Sequence, residues 1–286
     1  LASAPKRRLV ARPGFDSVAP ATANCRREEY EDAVRRSIEF INAGDAFQIV
    51  PSIRFEVDFD GDAFAVYRAL RLVNPSPFMY FVRHDTISIA GSSPELMTRV
   101  RDGVAYSRPI AGTRPRGADA DEDAALEAEL LSDPKERAEH VMLIDLARND
   151  LGRVCEFGTV TVDDLMVIER YSHVMHIVSG VSGVVRDGLG PVDVLRSTFP
   201  HGTVTGAPKK RTGEIIREAE GYERGWYTGV FGVFDGDEVD SAVLIRFVEK
   251  LPDGSLVYKS GGGITVYSDP DAEYAELEAK IYVPLR

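Results

Sequence analysis

Apolar side chains recur at helical spacing through REEYEDAVRRSIEFINA, residues 27–43, and predict an amphipathic helix with Tyr30, Ala33, Ile38 and Ile41 turned to the core. Gly44 ends it. AFQIVPSIRFEVDF then reads as strand, bent at Pro51. A helix is expected over 62–73, followed by the β-rich runs FMYFVRHDTISIAGSS and VAYSRPIAGT. Two helices fill 120–151; Asp133 caps the second and Pro134 takes its first helical position. GTVTVDDLMVIERYSHVMHIVSGVSGVV reads as strands, then a short helix near 191–198, a Gly-rich loop and a helix over 208–219. Strands are expected over 227–234, 239–249 and 255–266, and a last helix over 269–280 that Pro270 begins. Strand clusters mixed with long helices predict an α+β fold with large, mainly antiparallel sheets. Residues 1–25, rich in Ala, Pro, Ser and Arg, read as a tail or linker, and 26–286 as the folded domain.

Several polar residues interrupt this pattern. Glu139 falls in line with Met142, Leu143 and Leu146, at the spacing of a buried helical stripe. A carboxylate there is costly unless a cation, a proton or a partner compensates it. In the last helix Glu273, Glu276 and Lys280 share one face, with Tyr274, Leu277 and Ile281 on the apolar side. That spacing serves a solvated face with a Glu276–Lys280 pair. With Glu139 it equally serves a set of hard oxygen ligands for Mg²⁺. In DSAVLIRFVEK the alternation places Arg246 between Leu244 and Val248 on one strand face, where a guanidinium suits an internal glutamate or an anionic ligand. SGGGIT (260–265) and HGTVTGAPKK (201–210) offer backbone N–H groups to an anion, the second at a helix N-terminus, and neither has nucleotide-loop spacing. His176 shares a strand face with Val174 and Val178, as a core residue or as a base, while His173 shares the other face with Met175 and Ile177. Glu95 closes a strand and turn in AGSSPEL, where an acid fits. No G-x-S-x-G elbow offers a covalent nucleophile. The set suits a small polyanionic substrate worked by acid–base catalysis.

Composition narrows the partners. The chain has 286 residues, 44% of them hydrophobic, enough for one large domain or two small ones. A net charge of -12 argues against nucleic acid and acidic membrane surfaces as partners. No run of about 18 apolar residues suggests a membrane span, and the first residues lack the apolar core of a signal peptide. Cys25 and Cys155 make neither a disulfide framework nor a zinc cluster, so a reducing, cytoplasmic setting is expected. The chain starts without Met, as a piece of a longer protein would.

PIAGTRPRG, DPKERAEHVMLIDLARNDLGRVC, RYSHVMHIVS, GTVTGAPKKR and GGGIT…SDPDAEY follow one another along the chain. In that order they resemble the chorismate-utilising enzymes, over roughly residues 26–283. The resemblance implies a chorismate-binding α/β sandwich of two large antiparallel sheets with outer helices, without the N-terminal segment of longer members. It implies that Glu139, Glu273 and Glu276 hold Mg²⁺, which grips the ring carboxylate of chorismate. Arg246, Tyr227 and the amides near Gly261 and Gly262 are implied to hold the enolpyruvyl carboxylate. Glu95 is implied to be the acid that helps the C4 hydroxyl leave, and His176 the base for the later loss of pyruvate. Thr203, Gly112 and Thr113 are implied to line the ring, and Lys280 to orient the carboxylates.

Water-using members of the family place a Lys where this chain has Gln48, so the resemblance implies ammonia as nucleophile. Well-studied aminodeoxychorismate synthases resemble PIKGT, with a nucleophilic Lys where this chain has Ala111. The likeness is therefore nearest to anthranilate synthase component I of tryptophan biosynthesis, with ammonia from glutamine delivered by a separate amidotransferase subunit. Aminodeoxychorismate synthase component I stays as the alternative, because GGGIT, YTGVFG and DSAVLIRF look more like that enzyme. A catalytically silent binding subunit is the reading from another class, and intact Glu95, His176 and acidic ligands oppose it. NPSPFM (74–79) is similar to part of a tryptophan feedback site. His201 stands where the family usually has a small residue.

Overall fold

The computed structural model describes residues 21–171 and 174–285, without the side chains of 279 and 281–285. Most of the expected tail over 1–25, His173 and the side chain of Ile281 lie outside the described residues. The chain runs β1 (Thr22–Ala23), α1 (Arg27–Asn42), β2 (Gln48–Ile49), β3 (Ser52–Asp58), α2 (Ala63–Val73), β4 (Phe78–His84), β5 (Ile87–Ser93), β6 (Leu96–Arg101), β7 (Val104–Ser107) and β8 (Ile110–Pro115). Two consecutive helices follow, α3 (Ala120–Ser132) and α4 (Pro134–Gly152). Then come β9 (Thr161–Arg170), β10 (Val174–Val184), α5 (Pro191–Thr198), α6 (Gly202–Thr205), β11 (Gly206–Ala207) and α7 (Lys209–Glu220). The last elements are β12 (Val230–Asp235), β13 (Glu238–Val243), β14 (Phe247–Lys250), β15 (Ser255–Gly261) and α8 (Pro270–Leu285).

Two large antiparallel sheets carry the fold. One has six strands in the order β1-β3-β15-β14-β5-β4; the other has seven, β12-β13-β6-β7-β10-β8, with β9 on the far side of β10. β1 pairs with β3, so residues 22–23 of the expected tail already belong to a sheet. Tyr30 and Val34 of α1, Val66 and Leu70 of α2 and Leu277 of α8 pack on the six-stranded sheet against Ile53, Phe55, Val248 and Tyr258. Ile144, Ala147 and Leu151 of α4 and Val194 of α5 pack on the seven-stranded one against Val100, Ala105 and Val181. The sheets meet where Tyr80 of β4 stacks on Phe231 of β12, ring centres 4.9 Å apart.

The strand expected over 239–249 is divided between the sheets. β13 belongs to the seven-stranded sheet and β14 to the six-stranded one, and the chain crosses between them at 244–246. Arg246 has a φ of 51°, a left-handed conformation that ends the strand, so it lies on no strand face. A second crossing, at Pro94 and Glu95, joins β5 to β6. The two crossings run side by side: Val243 N donates to Glu95 O at 3.1 Å, and Ser92 N to Arg246 O at 3.1 Å. Glu95 and Arg246 are thereby brought to the same seam.

α4 begins as its sequence predicts, with the Asp133 carboxylate accepting from Lys135 N and Glu136 N. Its buried side is centred one residue further on than expected. His140, Leu143, Ile144, Ala147 and Leu151 are buried, whereas Glu139, Met142 and Leu146 are half-buried on the flank. His140 takes the central place because its Nε2 meets Ser179 Oγ of β10 at 2.7 Å, which satisfies a polar atom inside the core.

Candidate active site

A cavity of about 710 Å³ opens between α4, α8, the β8–β10 ladder and the Arg246 crossing. Gln48, Gly112, Thr113, Glu139, His176, Thr203, Arg246, Glu273, Glu276 and Lys280 all line it. Residues from opposite ends of the sequence are thus assembled on one wall or another of a single space. Glu95, Tyr227, Gly261 and Gly262 stand behind the lining. Glu95 reaches it through Thr203, whose Oγ1 donates to Glu95 Oε1. Gly261 carries Lys280 on its carbonyl oxygen at 3.1 Å, and the Gly262 N–H is already given to Pro51 O at 3.3 Å. The N–H of Gly262 is therefore not free for a carboxylate, and Gly263 is the member of the run that lines the cavity. The start of α7, the second expected anion site, is absent from the lining as well.

The acidic wall comes from α4 and α8. Burial pushes the Glu139 carboxyl above its ordinary value, and the charges of Glu136 and Glu273 push the same way. Lys135, with Nζ 3.9 Å from Glu139 Oε1, and a hydrogen bond with Thr265 oppose that push. Burial likewise raises Glu273, against a hydrogen bond of 2.7 Å from Ser268 Oγ, while Glu276 adds to the rise. Glu276 itself is turned to Lys280, Oε1 to Nζ 2.7 Å, and is 59% exposed. Among the described residues no three His, Cys, Asp or Glu side chains stand close enough together to hold a metal ion. The expected closed set of Glu139, Glu273 and Glu276 is instead an open one. Like charges repel across the cavity, and Lys280 draws the third carboxylate off. The donor chemistry still suits a hard divalent cation: two half-buried carboxylates whose pKa values are raised are short of positive charge.

The opposite wall holds His176. His176 is buried, and burial pushes its pKa down, with the positive charge of Arg246 adding to the effect, so the ring is neutral. Its Nδ1 lies 3.1 Å from Gly112 O and 3.0 Å from Thr113 Oγ1. Nδ1–H donating to the carbonyl leaves the Nε2 lone pair free. Gly112 can present that oxygen because β8 bulges there: His176 pairs with Thr113 but Ile177 with Ala111, and Gly112 has a φ of 65°. Arg246, half-buried, is the cation of this wall. Gln48 is buried with no hydrogen-bond partner for its Oε1 among the described residues.

Lys135, Glu136, Thr265 and Ser268 also shape the acidic wall, and none was expected from the sequence to belong to the site. Lys135 and Glu136 sit about one turn before Glu139 on the same helix, so their spacing was a usable signal. Thr265 and Ser268 act through a loop whose path only the tertiary structure sets.

A family model for chorismate binding enzymes matches residues 3–286. The chain belongs to the chorismate binding enzyme family. It is 49% identical over 275 residues to a protein of Pseudomonas putida named anthranilate synthase component 1, covering 94% of this chain and 56% of that one. A protein of the same name from Aquifex aeolicus is 49% identical over 256 residues, covering 89% of this chain and 51% of that one. The crystal structure of anthranilate synthase component I from Streptococcus pneumoniae superimposes with a TM-score of 0.87 at 36% identity, over 97% of this chain and 63% of that one. The chain spans about half the length of the curated relatives it matches. No helix among its described residues is long and apolar enough to cross a membrane.

Proposed function

We propose that the chain is the catalytic portion of an anthranilate synthase component I, converting chorismate and ammonia to anthranilate and pyruvate. What carries this reading is Gln48, in place of a Lys, on the wall of the family's cavity, in a chain about half identical to proteins of that name. A neutral amide can accept an N–H from an ammonia molecule. A Lys in its place would present only donors. Ala111 lines the same cavity and has no nucleophilic atom, which disfavours aminodeoxychorismate synthesis through a covalent lysine adduct.

In this reading Arg246 pairs with a substrate carboxylate, and Thr203, Gly112 and Thr113 bound the ring. Glu95 supplies the proton with which the C4 hydroxyl leaves as water while ammonia adds at C2, the new ammonium giving up a proton to solvent. Neutral His176 then takes the proton from C2 on its free nitrogen, the ring carbon–oxygen bond to the enolpyruvyl group breaks, and the departing enolpyruvate takes up a proton to become pyruvate as the ring turns aromatic. Glu139 and Glu273, with Glu276 released from Lys280, are the residues that would hold Mg²⁺. The ion, when bound, supplies positive charge to the ring carboxylate. The ammonia would come from glutamine through a separate amidotransferase subunit, and a reducing cytoplasm is the setting we assign. Incubation with chorismate, Mg²⁺ and ammonium tests the reading. Growth of anthranilate fluorescence supports it; a non-fluorescent aminated product that yields 4-aminobenzoate only with an added lyase overturns it.

A further inference from the structure

Glu95 does not stand alone behind the cavity. His201, at the start of α6, is buried to 7% exposure, with Nδ1 2.6 Å from Thr203 Oγ1 and 3.0 Å from Glu95 Oε1. Thr203 Oγ1 has one proton and donates it to Glu95 Oε1. With Glu95 as a carboxylate, Thr203 Oγ1 can then only accept from His201, and Nδ1 carries a hydrogen. Both contacts use Oε1, which leaves Oε2 as the oxygen to take up the acid's proton.

We propose that His201 is a positioning residue for Glu95: by donating from Nδ1 to Thr203 Oγ1 and Glu95 Oε1, it confines the acid's transferable proton to Oε2. The inference rests on the reading of Glu95 as the acid. It adds a group that sets where that acid's proton lies. The other charges facing this pair are Asp150 of α4, whose carboxylate feels His201, Lys209 of α7, which holds Asp150, and His176 of β10, which feels Glu95.

Two measurements test it, one without turnover. Nitrogen-15 NMR of the imidazoles, with His201 assigned through His201→Asn, is expected to show the Nδ1–H tautomer. The Nε2–H tautomer overturns the proposal. In kinetics, His201→Ala is expected to lower kcat about tenfold or more while KM for chorismate moves less than about threefold, a share of what an acid contributes. His201→Asn, whose amide can occupy the Nδ1 position, should restore most of the rate. A His201→Ala variant with a lower melting temperature but an unchanged kcat would mean a merely structural residue and ends the proposal. If Glu95→Gln keeps the wild-type rate, the reading of Glu95 as acid fails on its own, whatever the tautomer shows.

Discussion

A Cβ on Gly261 would stand 2.7 Å from Pro51 O, on Gly262 3.0 Å from Glu273 Oε2, and on Gly263 2.2 Å from Gln48 Nε2. Read as sequence, the run suggests a cradle of N–H groups for an anion. In the fold it is clearance for two side chains of the site and one carbonyl. Steric room of this kind cannot be seen in a sequence, because the neighbours come from positions more than two hundred residues away or from another element. Gly263→Ala should therefore push Gln48 out of place. The expected result is a loss of ammonia-dependent turnover of up to about 10²-fold, the scale of an ångström's misplacement, with affinity for chorismate little changed. Steady-state kinetics against ammonium would check it, and an unaltered rate would show that Gln48 does not position the nucleophile.

At the scale of elements, α4 and α8 bring together carboxylates that repel. Added Mg²⁺ should raise the melting temperature by several degrees, since an ion at about a hundred times its Kd contributes about 2.7 kcal/mol to a folded state that alone binds it. Glu139→Gln should melt higher than the parent in metal-free buffer and lose the response to Mg²⁺. Differential scanning fluorimetry reads both, and an undiminished response would remove Glu139 from the ion's ligands. The start of α4 was legible because capping is local: Asp133 and Pro134 act within one turn. Its buried side was displaced by one residue because His140 looks polar in the sequence and is buried only through Ser179, thirty-nine positions on. Arg246 was misplaced for a similar reason. Alternation continues through VLIRFV, and only pairing with β5 and β6 decides where the chain changes sheet.

For the whole molecule, the mixture of helices and antiparallel strands was legible from periodicity, and the assembly of the cavity was carried by family motifs. The same assembly leaves a pH signature. Burial pushes His140 down to about 4 from 6.5, and His176 moves in the same direction. Between these values the unfolded chain takes up a proton that the folded one refuses, so stability falls as pH drops, by up to about 1.4 kcal/mol per pH unit for each such group. Glu139 and Glu273 act oppositely: their raised values let the folded state bind protons first, and stability is regained as pH falls towards the ordinary carboxylate value. Urea denaturation at a series of pH values from 7 to 5 should show the histidine loss first, and His140→Gln should flatten that slope. A slope unchanged in the variant would contradict a buried neutral His140. The seam between the sheets has a last consequence. Glu95 and Arg246 hang from adjoining crossovers that tie the two layers together, whereas the carboxylates across the cavity ride on α4 and α8. One jaw of the cavity is thus anchored in both layers and the other is borne by helices.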